Sequence, residues 1–248
     1  MGTFLTLTWR ELGGYFLSLR GYVIIAGVQL LLGASLLIVL DALHEKPIDQ
    51  PINTMFFNGF FWLILLLMTP VITMRTFAHE KSTGTFETLL TTPVSDRAVI
   101  LAKFAGAWVF YLLAWAPALL LPFLLNRYVT DFVPVEPWTQ ASLALGIALL
   151  GAFFVAAGCF ASALTRSQII AAMTSFSIGT GLFLLGLPTL YRQVTGWETD
   201  LFRHISMSQH MTEFANSIVD TRHVIFYLTL TLVFLFLTEQ VLASRRWK

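Results

Sequence analysis

Charge is scarce in this sequence. Lys and Arg number 15 and Asp and Glu 14, so 12% of the 248 residues are charged and the net charge is +1. A soluble domain carries about a quarter. A balance so near zero does not point to nucleic acid, so no nucleic-acid partner is expected. Cysteine is nearly absent too. Cys159 stands alone, which excludes an internal disulfide and a cysteine metal cluster. It lies in an apolar run and reads as an inert buried thiol. No lysine follows a glycine, so the G-x-x-x-x-G-K-[ST] phosphate loop is missing and the chain has no ATPase site of that kind. His79-Glu80 starts like H-E-x-x-H, but Thr83 stands where the second zinc ligand belongs. There is no G-x-S-x-G nucleophile elbow. His204 and His210 are six apart, a poor spacing for one helical face, and read as satisfied or solvated histidines rather than metal ligands. No catalytic, cofactor or metal residues are therefore assigned, and no cofactor is expected. The first twenty residues hold Arg10, Glu11 and Arg20 and no short apolar core before a cleavage site, unlike a cleavable signal.

What is abundant is apolar surface. Hydrophobic residues make up 56% of the chain and Phe alone occurs 22 times. Water cannot solvate so apolar a chain, and lipid can. About 20 apolar residues cross the hydrocarbon core as a helix. Six stretches qualify: 22–40, 55–74, 104–125, 139–164, 168–191 and 223–242. None has an ionisable side chain at its centre. Pro70, Pro117, Pro122 and Pro188 predict kinks. With the N-terminus inside, ten of the fifteen Lys and Arg fall on the inner side, and nine of the fourteen acidic residues fall outside. That bias puts both termini in the cytoplasm. Mid-membrane ionisable residues, which self-powered carriers use to bind ions, are missing. Energy is expected to arrive from another chain.

Three segments do not span. In the interfacial segment 1–20, Leu5, Trp9, Leu12, Phe16 and Leu19 form a helical stripe beside Arg10 and Glu11, which predicts an amphipathic helix in contact with membrane lipids. The inner loop 75–103 carries Phe86, Leu89 and Leu90 at i, i+3 and i+4. Pro93 ends that edge, and Ser95 is placed to cap a helix from Asp96. The apolar edge either docks a cytoplasmic partner or rests on lipid. The outer segment 192–222 has Met207, Met211, Phe214 and Ile218 at helical spacing, predicting short helices that dip back to the outer interface while packed on protein. In the fourth stretch Ala144, Ala148, Ala152 and Ala156 recur every fourth residue, followed by Gly158 and Ser162, a pattern for close helix–helix approach.

Several of these segments together resemble the permease subunits of ABC-2 type transporters, specifically the gliding-motility type. The opening W-R-E-L-G-G-Y-F-L-S-L-R-G-Y-V (9–23) is similar to the family's interfacial helix, with Leu19 where the family usually has proline. The stretch 69–95 resembles the segment from span two through the coupling helix. Its pattern E-[KR]-x-x-G-[ST]-x-E is matched by Glu80, Lys81, Gly84, Thr85 and Glu87. The end, 226–247, is similar to the last span and its basic exit. The resemblance implies an all-α polytopic membrane protein of one transmembrane domain, 1–248, with six transmembrane helices, an N-terminal interfacial helix and outer re-entrant helices between spans five and six, as in type V exporters. It implies a separate ABC ATPase subunit in two copies. It also implies a second permease, as a homodimer or as a heterodimer with a related chain bearing a periplasmic domain. The location implied is the bacterial inner membrane. The ATPase contact would fall on Glu80, Lys81, Thr83, Gly84, Phe86, Glu87, Leu89 and Leu90. Lys81 and Glu87 would act as rim charges, and Arg10 and Glu11 as a second contact. The alternatives are an intramembrane enzyme and a non-transporting membrane assembly factor.

Overall fold

The computed structural model describes residues 2–45, 59–85, 95–128, 136–186 and 204–244. Among them the chain is helical throughout, with no strand. The helices are α1 (Gly2–Phe16), α2 (Leu19–Glu45), α3 (Gly59–Thr73), α4 (Ala78–Thr83), α5 (Asp96–Tyr128), α6 (Pro137–Leu164), α7 (Gln168–Leu185), α8 (Met207–Ala215) and α9 (Thr221–Ala243). Six segments are long and apolar enough to cross a membrane: Leu19–Ile38, Gly59–Thr83, Asp96–Leu121, Pro137–Leu164, Gln168–Leu185 and Thr221–Ala243. This is a multi-pass, all-α membrane protein.

The pivot of the bundle is α6, which packs against α3, α4, α5, α7, α8 and α9. Small residues make this possible. A Cβ on Gly158 would sit 2.1 Å from Thr73 Oγ1, so only glycine lets α3 approach α6 there. Ala152, Ala156 and Ala161 are fully or nearly buried along the same helix. By contrast α7 and α9 present Ile169, Met173, Leu228 and Leu232 outward, the side chains a bilayer would solvate.

With no water in the hydrocarbon region, polar groups must find partners inside the bundle. Gln29 Nε2 donates to the Ala114 carbonyl at 2.9 Å, and Trp108 Nε1 to the Ala148 carbonyl at 3.0 Å. Gln140 Nε2 donates to the Leu119 carbonyl. Thr69 and Thr73 bond back to carbonyls one turn earlier on α3, each at 2.8 Å, as hydroxyls do inside membrane helices.

The N-terminal helix divides its apolar stripe. Leu12, Tyr15 and Phe16 pack onto the core, where the Tyr15 ring stacks on Phe110 of α5 at 4.5 Å. Leu5 and Trp9 point away from it and are exposed, while Leu19, expected on the same stripe, instead opens α2 and is exposed there. One edge of α1 therefore grips α5, and the other is left for lipid. The break to α2 forms at Leu17–Ser18 without a proline; Ser18 Oγ donates to the Tyr15 carbonyl at 3.1 Å.

At the other end of the bundle, α8 lays Met207, Met211 and Phe214 against α6. The helical spacing in the sequence continues to Ile218, but the helix stops at Ala215. Ser217 takes a left-handed φ of 64° and leaves Ile218 exposed. Residues 192–203, the first part of that outer segment, lie outside the described residues, as do 187–191 and the start of the second predicted span.

Candidate functional site around Lys103

Between α3 and α4 the chain turns at 74–77, and the turn is held from α6. Ser162 Oγ accepts hydrogen bonds from the backbone N–H groups of Phe77 (3.0 Å) and Ala78 (3.1 Å), and it donates to the Met74 carbonyl at 3.3 Å. It serves as an N-cap delivered from another helix, satisfying donors that α4 cannot pair internally. At its far end α4 is closed by Gly84 at φ 75°, a left-handed cap that suits glycine. The T-G-T at residues 83–85 is thus a helix stop.

Glu80 and Lys81 on α4 both turn inward. Lys81 is buried, and its ammonium donates to the Ala163 carbonyl at the C-terminus of α6, where a cation complements the helix dipole. Expected at a rim, Lys81 instead orients α4 from within. Glu80 meets Lys103 of α5. Lys103 is 3% exposed, and its Nζ donates to Glu80 Oε1 at 2.6 Å and to Glu11 Oε1 of α1 at 3.2 Å. The Phe77 ring lies beneath the same ammonium, 5.7 Å away. Arg10 reaches Glu11 Oε1 from the solvent side at 3.0 Å. On α4, His79 takes a contact from Gln168 Nε2 of α7 at 3.2 Å, with Arg75 Nη2 3.5 Å from its ring. Tyr15 donates to the Ile72 carbonyl at 3.1 Å, and removal of its hydroxyl from water pushes its pKa well above the usual phenol range.

The result is a polar joint. Four helices contribute side chains that fix α4: α1 through Glu11, α5 through Lys103, α6 through Ser162, α7 through Gln168. Beside it opens a cavity of ≈ 530 Å³, lined among others by Tyr15, Arg20, Val23, Arg75, His79 and Lys103. A buried cation shared by two carboxylates gives a defined geometry more than net stability, and breaking one partner is costly.

The family description of ABC-2 family transporter proteins matches residues 43–238. The chain belongs to that family. Comparison with curated proteins gives no match. As an ABC-2 permease, the protein is a membrane component of an ABC transporter and is not itself catalytic; an ATPase subunit is the partner the family implies.

Of the permease residues expected at the ATPase contact, Thr83 and Gly84 are exposed at the tip of α4, and Thr83 Oγ1 lies 2.9 Å from Thr85 Oγ1. Glu80 and Lys81 are directed into the joint. Phe86, Glu87, Leu89 and Leu90 lie outside the described residues. Arg10 is exposed while Glu11 faces Lys103. Sequence reasoning overlooked Lys103, counted only as one of the inner positive charges, and Ser162, read only as a small packing residue. A sign was present for Lys103. With the helix starting at Asp96 under Ser95, whose Oγ accepts from Ala98 N at 3.4 Å, Lys103 falls two turns inside α5, where a lone cation needs a partner.

Proposed function

We propose that this permease couples ATP hydrolysis by a separate ATPase subunit to export, or to mechanical signalling, across the inner membrane. In this reading α4 and the segment after it form the coupling element, and both termini are cytoplasmic. The observation that carries it is the Lys103 joint. Glu80 and Lys81 at the start of that pattern bond α5 and α6, Lys103 carries the link on to Glu11 of α1, and the adjoining His79 meets Gln168 of α7, so a displacement of α4 reaches four helices through side-chain contacts. A rigid element between two packings is what an ATP-driven switch requires. Phe86, Leu89 and Leu90 supply the apolar edge for a cleft on the ATPase. Glu87 lies at its rim, and Arg10 on α1 gives a second contact. Two ATPase copies serve two permeases, either as a homodimer or with a related chain of the gliding-motility type. The spans hold no charged path at mid-membrane, which favours a lipid-linked, apolar or mechanically moved cargo over a charged soluble one.

The test is co-purification from mild detergent. The native chain is expected to retain an ATPase subunit, and a Phe86→Asp/Leu90→Asp variant to lose it while still eluting as a folded membrane protein. Undiminished ATPase binding by that variant would sink the docking assignment.

A further inference from the structure

Arg97 at the start of α5 bonds Glu239 near the end of α9 at 2.7 Å, so the first turn of α9 lies at the end of the bundle away from Lys103. There α8, folded against α6, brings Glu213 to the start of α9. One donor atom each from Glu213, Asp220 and His223 lies within 4.8 Å of the others. His223 is 7% exposed, and its Nδ1 makes no hydrogen bond, with Glu213 Oε2 at 3.5 Å. A buried imidazole nitrogen beside a carboxylate, without a hydrogen bond and with a second carboxylate in the same cluster, is a position that a ligand would complete.

We propose that Glu213, Asp220 and His223 bind a divalent transition-metal cation of the Zn²⁺ class. The donor chemistry fits. Two carboxylate oxygens and an imidazole nitrogen suit zinc and its neighbours, whereas magnesium and calcium prefer oxygen alone. Two carboxylates and a neutral imidazole carry the charge that a divalent cation cancels, which matters at the edge of a low-dielectric bundle. One donor pair already has the spacing, and the whole set lies within 4.8 Å. Donors at zinc's bond lengths of about 2.0–2.1 Å stand roughly 3.4 Å apart in a tetrahedron, close to the 3.5 Å between His223 Nδ1 and Glu213 Oε2.

The site is also held in shape. The His223 ring stacks on His210 with centroids 3.9 Å apart, and the Phe214 ring lies edge-on at 6.1 Å. The hydroxyl of Tyr227 lies 3.3 Å from His210 Nδ1 and fixes that second ring. Asp220 caps α9: its Oδ1 accepts from Arg222 N at 2.8 Å. That backbone hydrogen bond lowers the pKa of Asp220, against a smaller rise from desolvation. Three protein ligands leave a fourth position for water. The ion ties α8 to the first turn of α9, adding to the Thr139–Ser217 hydrogen bond and the His210–Tyr227 contact that already hold this segment. An ion pair between protonated His223 and Glu213 is the competing use of these groups.

The experiment is a CoCl₂ titration of the full-length chain in detergent, without a histidine tag and after chelator treatment, read by visible absorption. Expected is one saturable set of cobalt bands per chain, displaced by ZnCl₂, with Kd raised about tenfold or more in Glu213→Gln and His223→Ala. Asp220→Asn keeps a good helix cap and should show the same loss on a folded chain if His223→Ala elutes as aggregate. Absence of saturable cobalt binding by the native chain overturns the site, which leaves the ion pair as the role of His223. Binding by Asp220→Asn and Glu213→Gln equal to native overturns it too, because the ion is then held elsewhere.

Discussion

Lys103 Nζ on α5 stands 2.6 Å from Glu80 Oε1 on α4, and the Lys103 side chain is 3% exposed. The same ammonium holds Glu11 of α1. Lys103→Ala leaves two carboxylates facing each other with no cation between them. A loss of about 3–5 kcal/mol is expected, the usual result of removing one partner of a buried ionic cluster. Thermal unfolding in detergent measures it. Lys103→Met combined with Glu11→Gln and Glu80→Gln should recover most of that stability, because neutral groups of similar shape avoid the desolvation cost. If the joint transmits motion, the triple variant stays folded yet no longer responds to ATP in the assembled transporter.

Ser162 caps α4 across a gap of 85 residues in sequence. Ser162→Ala removes the acceptor for the Phe77 and Ala78 amides. The expected cost is about 1–2 kcal/mol. Hydrogen exchange localises it: the amides of residues 77 and 78 should lose protection while those at the centre of α6 keep theirs. Equal protection in native and variant chains would show that the cap comes from elsewhere.

Gly158→Ala places a methyl group 2.1 Å from Thr73 Oγ1. Separation of α3 from α6 is expected, at about 1–3 kcal/mol of overpacking. Thr73→Ala removes the clashing hydroxyl and methyl, so the double variant should recover part of the loss. A double-mutant cycle on unfolding midpoints reads this coupling. Simple additivity would argue against the contact.

Gly84 ends α4 at φ 75°. Gly84→Ala forces a left-handed conformation on a residue with a Cβ, at about 1 kcal/mol. Open space surrounds the position, so strain is local and global unfolding should shift little. The effect should appear in affinity for the ATPase, if the segment following Gly84 docks it. Gly84→Asn, which tolerates the left-handed region better, should fall between native and alanine.

Much of the architecture was legible in the chain. The apolar stretches became α2, α3, α5, α6, α7 and α9, and Met207, Met211 and Phe214 do share a buried face on α8. Ser95 sits at the start of α5 and bonds Ala98 N. These are local patterns, and periodicity and capping report them directly. Lys103 was not legible in the same way. Its partners lie 92 and 23 residues away, and a lysine at the edge of an apolar run looks the same whether it faces water or two carboxylates. Lys81 misled for the same reason: its place in the motif suggested a surface charge, whereas its partner is a carbonyl 82 residues further on.

Composition and period by themselves determined that this chain lives in lipid and that it crosses several times, with no ionisable residue at the centre of an apolar stretch. Those conclusions depend on the free energy of transferring single residues and single helices, quantities that add along a sequence. Tertiary structure decided which helices meet. It set α6 at the pivot through Gly158, joined α1, α4 and α5 on one ammonium, and brought Glu213 to Asp220 and His223. Those contacts join residues far apart in the chain, and only close packing in three dimensions selects them.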